Sequence, residues 1–256
     1  KYQIDRVTRY ALKPVRGTGY TQGPSTNDYL QWIARLRIRF PKLQIVAGTN
    51  LRRCEELGYV MRAGANAVKF IFWFPEEIMS DRAISYTYET VAGAQSENMY
   101  EMLDQLRFSL DEWRQVKAYA DRGGIIMFST VNSPSGIAYA EALGLEAYKL
   151  SSWDYTYLPL WKRIAALGKP MLIDTGPVNT EEVARVMDVM KAAGNEQSIL
   201  LHCVHSDAHA DLSMRSIPYL RATFETLVGY SSKGRDSESD IMAVALGAVV
   251  LEKRLT

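Results

Sequence analysis

Eight short runs of apolar and β-branched residues punctuate the chain: Ile45–Thr49, Ala67–Phe72, Ile125–Thr130, Ala147–Ser152, Met171–Thr175, Ile199–Val204, Leu227–Ser231 and Val249–Lys253. Each is hydrophobic almost continuously, as strands covered on both faces must be, and a parallel sheet lined by helices supplies that cover. The segments between them read as helices with legible ends. Ser109 stands three residues before Glu112, a capping box that opens a helix through Trp113, Val116 and Ala120 to a stop at Gly123 and Gly124. A second helix begins near Asn179 or Thr180, carries the stripe Val183, Val186, Met187 and Met190, and ends at Gly194. Strand and helix alternating in this way predict an α/β fold, a closed (β/α)8 TIM barrel, with an open doubly wound sheet as the other arrangement that such a pattern permits.

Two segments stand outside the alternation. The first 42 residues hold a strand-like run, Ile4 to Tyr10, and a helical stretch from Ser25 to Phe40 with Trp32, Ile33, Leu36 and Ile38, stopped before Pro41. This predicts an N-terminal strand-helix extension over 1–42, packed against or capping a barrel domain over 43–256. The insertion between Trp73 and Ser109 is long for a barrel loop and contains Tyr86, Tyr88, Tyr100 and several acidic residues. Either it lines a site at the C-terminal face of the barrel or it is a surface excursion with a small core of its own.

Composition narrows the setting. Thirty basic residues against 29 acidic ones, with 47% apolar content, describe an ordinary globular protein with no call for nucleic acid. Only Cys54 and Cys203 are present, too few for a disulfide framework or a four-cysteine zinc site, so a reducing cytoplasm is expected. No apolar run approaches the ~20 residues of a membrane span. The chain begins at Lys1 and ends just after an apolar run, as a fragment or trimmed chain would.

Barrel enzymes carry their chemistry at the C-terminal ends of the strands. Here those ends bear Lys69, Thr130, Lys149, Ser151, Ser152, Asp154, Asp174, Thr175, His202, Ser231, Glu252 and Lys253. A lysine inside an apolar strand is costly to bury unless an anion meets it. Lys69, Lys149 and Lys253 converging on one mouth would form a site for a phosphorylated or carboxylated ligand, whereas any one of them alone is better explained by snorkelling or by pairing with a neighbour such as Glu252. His202 closes an apolar run, which suggests that it points into the mouth. His205 and His209 follow in the next loop, where they are either metal ligands or simply exposed. Asp174-Thr175-Gly176 matches the aspartic-protease tripeptide, but that chemistry needs a second such carboxylate in an all-β fold.

Read together, these motifs resemble the barrel domain of the N-acetylneuraminate (sialic acid) synthase family, in order and over about three quarters of the chain. Ala63-Gly64-Ala65-Asn66-Ala67-Val68-Lys69-Phe70 resembles the family's AGADAVKFQ strand, and Phe128-Ser129-Thr130 its FSTP strand end. Tyr148-Lys149-Leu150-Ser151-Ser152-Trp153-Asp154 resembles YKIASGE, Asp174-Thr175-Gly176 resembles STG, and Leu201-His202-Cys203 resembles LLHC. Gly229-Tyr230-Ser231 and the stretch Ala245 to Lys253 match the last units.

The resemblance implies condensation of phosphoenolpyruvate with an N-acylated amino sugar or a related aldehyde. It implies that Lys69, Thr130, Lys149, Ser152, Ser231 and Lys253 hold phosphoenolpyruvate, that Asp154, Lys149 and Asp174 are catalytic, and that His202 is a ligand to a divalent metal, manganese or magnesium. The implied partner is a small anionic substrate, without nucleic acid, membrane or nucleotide cofactor, and with a homodimer as an allowed assembly.

Departures accompany it. Gly48 stands in place of a family glutamate, Ile71 of a glutamine, Lys233 of the second metal histidine, Asp154 of a glutamate, Asp174 of a serine and Arg254 of a histidine. The metal site is therefore expected to be weakened. Two other readings stay open: an aldolase using a Schiff base on Lys149 or Lys69, and a catalytically inactive barrel.

Overall fold

The computed structural model describes residues 26–49, 55–90, 93–204, 206, 209–232 and 237–255. The strand expected over Ile4 to Tyr10, together with His205 and Lys233, lies outside the described residues. In chain order the elements are α1 (Thr26–Arg39), β1 (Gln44–Thr49), α2 (Glu55–Arg62), β2 (Ala67–Ile71), α3 (Pro75–Ile78), β3 (Ser85–Thr90), β4 (Gly93–Asn98), α4 (Met99–Asp104), α5 (Leu110–Gly123) and β5 (Ile126–Thr130). They continue as α6 (Pro134–Ala142), β6 (Tyr148–Leu150), α7 (Leu158–Ala165), β7 (Met171–Asp174), α8 (Thr180–Ala192), β8 (Ser198–Cys203), α9 (Ser216–Phe224), β9 (Leu227–Ser232), α10 (Glu238–Ala245) and β10 (Val250–Leu255). No helix of the described residues is long and apolar enough to cross a membrane.

Eight strands close into a parallel barrel in the order β1-β10-β9-β8-β7-β6-β5-β2, which settles the choice between barrel and open sheet. All eight apolar runs of the sequence become its strands. The helix signals also hold: Ser109 and Glu112 form a reciprocal capping box at α5, Asn179 and Glu182 form another at α8, and Gly124 takes the left-handed conformation that ends α5. The insertion after β2 is an antiparallel hairpin, β3 with β4, flanked by the short helices α3 and α4. Arg107 anchors its far end to Glu76 through a paired guanidinium–carboxylate contact.

Two cores flank the strands. The larger lies between barrel and helices and includes Trp32, Ile45, Phe72, Trp113, Tyr148, Trp161 and Tyr230. The smaller fills the barrel itself with Val46, Ala67, Phe128, Leu172, Leu201 and Val250. Because side chains alternate along a strand, these six residues fix the inward phase of their strands. Gly229 shares that phase, since a Cβ there would lie 2.7 Å from both Leu201 Cδ2 and the Val250 carbonyl oxygen.

Helix α1 occupies a place in the outer ring, over the seam where β1 pairs with β10. Its inner face buries Trp32, Ile33 and Leu36. At one side the Trp32 indole donates to Asp240 Oδ2 of α10 at 3.0 Å. At the other, Arg37 donates to the Gly64 carbonyl at 2.8 Å and to Asn66 Oδ1 at 2.6 Å, just ahead of β2. The helix of the N-terminal extension thus packs as a barrel helix and not as a plug across one end.

Candidate active site at the barrel mouth

Counting outward from the interior residues gives the side chains that face into the C-terminal mouth. Ala67 leads to Lys69, Phe128 to Thr130, Leu172 to Asp174 and Val250 to Glu252, each two residues further along its strand. Lys149, in register with Leu172 and Thr130, joins them from β6, and Ser231, in register with Glu252, from β9.

At the centre is Glu252, 1% exposed, whose carboxylate accepts from the Lys149 ammonium at 2.8 and 2.7 Å and lies 3.4 Å from the Lys69 ammonium. Lys149 also meets Asp174 Oδ2 at 2.8 Å. Two cations and two carboxylates from four strands therefore share one buried cluster. Burial pulls the Lys149 ammonium toward its neutral form, but Asp174 and Glu252 outweigh it and hold its pKa above the ordinary lysine value. Asp174 is raised above the ordinary carboxylate value, chiefly by burial and then by Glu252, with Lys149 and Lys69 opposing. Its second oxygen, Oδ1, is buried with no hydrogen-bond partner among the described residues.

The turn after β6 adds a further titratable group. Ser151 caps a 3-10 turn, Ser152–Asp154, and the Asp154 carboxyl is pushed up to about 7 by burial. Asp154 Oδ2 has no hydrogen-bond partner among the described residues, while its backbone carbonyl accepts from the Trp161 indole at 2.7 Å. Ser152 is buried against Gly176, where a Cβ would lie 2.2 Å from its hydroxyl oxygen, so only glycine lets the β7 turn approach this closely. A carboxyl held near neutrality is suited to give and take protons at physiological pH.

Two expectations are corrected. Lys253 does not join the other lysines: Glu252 faces inward, so Lys253, its neighbour in the strand, faces the helices. There its ammonium meets Asp240 Oδ2 at 2.8 Å and Ser232 Oγ at 3.1 Å and lies 5.0 Å from the Trp32 ring centroid. His202 does not enter the mouth either. Leu201 faces inward and His202 outward, stacked on Tyr230 with ring centroids 5.9 Å apart and with Nε2 2.7 Å from the Leu212 carbonyl oxygen. Burial lowers its pKa, which keeps the ring neutral.

The metal implied by the family likeness finds no matching donor set in these residues. One nitrogen of His202 is engaged by a backbone carbonyl, and no group of three or more His, Cys, Asp or Glu side chains among the described residues is placed to hold an ion. In the sequence Glu252 is legible as a strand-end residue but not as the centre of the site, and the Asp240–Trp32 pair is not legible. A carboxylate on the buried face of α10 was the available signal, because it demands a partner on the outer face of the sheet.

Comparison with known proteins places the chain among relatives. A model of the NeuB family matches residues 58–256. An uncharacterized protein of Methanocaldococcus jannaschii is 30% identical over 200 residues, which cover 76% of this chain and 54% of that protein. The N,N'-diacetyllegionaminic acid synthase of Campylobacter jejuni is 30% identical over 198 residues, covering 76% of this chain and 59% of that enzyme. The chain thus spans little more than half the length of these curated relatives. Among solved structures, the N-acetylneuraminic acid synthetase of Leptospira borgpetersenii in complex with citrate is similar with a TM-score of 0.72 at 24% identity, over 84% of this chain and 73% of that one. A DAHP synthase of Thermotoga maritima shares the fold at a TM-score of 0.61 and 14% identity. With more than half of its 256 residues matched by the family model, the chain belongs to the NeuB family.

Proposed function

We propose that the barrel mouth binds phosphoenolpyruvate and joins it to the aldehyde of an N-acylated amino sugar or a related compound, giving a sugar acid. The observation that carries this reading is the pair of buried ammonium groups, Lys69 and Lys149, at the mouth of a barrel whose relatives include sugar-acid synthases. In this reaction C3 of phosphoenolpyruvate bonds to the aldehyde carbon, the aldehyde oxygen takes a proton, and water adds at C2 as phosphate leaves. Lys149 and Lys69 supply charge-assisted hydrogen bonds to phosphate and carboxylate oxygens, each worth about 1.5–3 kcal/mol. Thr130, Ser152 and Ser231 add hydroxyl donors. Asp154, with its carboxyl near 7, hands the proton to the aldehyde oxygen or takes one from the attacking water. The described residues do not fit the family's divalent metal, and no step here is routed through one.

The Schiff-base alternative is disfavoured by the same geometry. An imine-forming lysine attacks as the free amine, and two carboxylates hold Lys149 in its charged form. The test is phosphate release from phosphoenolpyruvate with a panel of N-acylated amino sugars, alongside calorimetric binding of phosphoenolpyruvate to wild type, Lys149→Arg and Lys149→Ala. Partial binding in Lys149→Arg, a 10- to 100-fold loss in Lys149→Ala, and no covalent mass after borohydride are expected. Covalent trapping at Lys149 would establish the aldolase instead, and native-like folding with no phosphoenolpyruvate binding would leave an inactive barrel.

A further inference from the structure

Among the described residues the ion-paired cluster at the mouth contains as many carboxylates as ammonium groups, a difficulty for any anion that enters. With Asp174 and Glu252 both ionised against Lys69 and Lys149, the four-residue cluster has no net charge, and a dianion would add two negative charges to a poorly hydrated site. The two carboxylates are held unequally. Glu252 is gripped by both lysines, through contacts of 2.7, 2.8 and 3.4 Å. Among the described residues Asp174 is within ion-pair distance of Lys149 alone, through Oδ2, with Lys69 acting on it from further away, and its Oδ1 is buried without a hydrogen-bond partner. Asp174 is therefore the carboxylate that gives up its partner more easily.

We propose that Asp174 couples anion binding to proton uptake: the anion takes over the Lys149 contact that Asp174 now makes, and the released carboxylate takes one proton from solvent. The inference rests on the anion-binding reading of the mouth and adds a specificity determinant to it. Among the described residues the ionisable groups facing Asp174 are Lys149 on β6, Lys69 on β2, Glu252 on β10 and Tyr155 in the turn after β6; Glu182 of α8 acts on Tyr155 in turn, and β8 presents Leu201 in register. Burial already favours the protonated form of Asp174 before any ligand arrives. Once Asp174 is neutral, the cluster carries one positive charge with which to receive an anion. Asp154 is another carboxyl that could take the proton, so the experiment must separate the two.

Sulfate is the probe, because it remains a dianion across the pH range used. Calorimetric titration of the whole chain between pH 5.5 and 8.5, in buffers of different ionisation enthalpy, reads affinity and the number of protons taken up. Wild type is expected to bind with uptake of about one proton and to lose affinity with rising pH by up to about tenfold per unit. Asp174→Asn, which keeps the shape and removes the charge, is expected to bind sulfate more tightly at pH 8 and with a flat pH profile. Asp154→Asn should keep the wild-type slope. The proposal is overturned if wild type binds sulfate without proton uptake, or if the uptake survives in Asp174→Asn and disappears in Asp154→Asn. The wild-type proton count stands even if a variant fails to fold. Absence of sulfate and phosphoenolpyruvate binding by folded wild type at every pH would remove the anion-site reading and this inference with it, whereas binding without uptake removes the inference alone.

Discussion

Substituting Glu252 by glutamine tests the cluster on which the mouth depends. The carboxylate lies 2.7 Å from the Lys149 ammonium and 3.4 Å from that of Lys69, which at an effective dielectric constant of about 20 gives gross attractions of roughly 6 and 5 kcal/mol. Desolvation of the three charges offsets most of this, and removing one partner from a buried ionic network costs about 3–5 kcal/mol net. Glutamine keeps the shape and one acceptor oxygen, so the lower end applies: about 3 kcal/mol, or a fall in Tm of roughly 6–12 °C for a domain of this size. Urea unfolding followed by circular dichroism reads the loss directly. Adding Lys69→Met removes one of the two cations that Glu252 pairs with, while Lys149 keeps Asp174, so the double variant should lose less than the sum of the two single losses. A Glu252→Gln protein within about 1 kcal/mol of wild type, or a double variant whose losses simply add, would show that Glu252 does not bind the two lysines into one network.

Three further outcomes follow from the geometry. Asp154 is raised to about 7 in the folded chain from an ordinary value of 3.8, so the folded state holds its proton more tightly than the unfolded one. Its contribution to stability should therefore decline as pH rises from about 4 to 7 and then level off, and Asp154→Asn should flatten that part of the stability–pH curve. Trp32→Phe removes the indole donor to buried Asp240 and is expected to cost about 1–3 kcal/mol in urea unfolding; a neutral effect would mean that α1 is not fastened to α10 through that contact. His202→Ala should lower stability by about 1–3 kcal/mol through the lost Leu212 contact and Tyr230 stacking, yet leave manganese affinity measured by calorimetry unchanged; a drop in manganese affinity would return His202 to the metal site.

The eight strands and the capped helices α5 and α8 were legible because continuous apolar runs and capping boxes are local signals. The facing of the strands was not. A strand buried on both sides is apolar at odd and even positions alike, so hydrophobicity carries no phase, and Glu252 and Lys253 looked equally able to face the mouth. Only the interior contacts of Val250 and Leu201 fix that phase, and they turn both Lys253 and His202 toward the helices. Lys69, Lys149 and Asp174 were legible as polar residues at the ends of apolar strands, which is where they lie. The central place of Glu252 was not legible, because its ion pairs reach across the mouth to lysines on β2 and β6, strands that do not adjoin β10, and only closure of the barrel brings them together.

The ring position of α1 has a consequence for how the chain folds during synthesis. Trp32 and Asp240 are 208 residues apart, and β1 must likewise wait for β10. At roughly 5–20 residues per second, the ribosome leaves that interval open for on the order of 10–40 s. Throughout it one edge of β1 has no strand to pair with and the apolar face of α1 has no completed seam to cover, which is the condition under which nascent chains engage chaperones or one another. Closure is thus a late, long-range event, and substitutions at the seam are expected to reduce the yield of folded protein more than the stability of the molecules that do close.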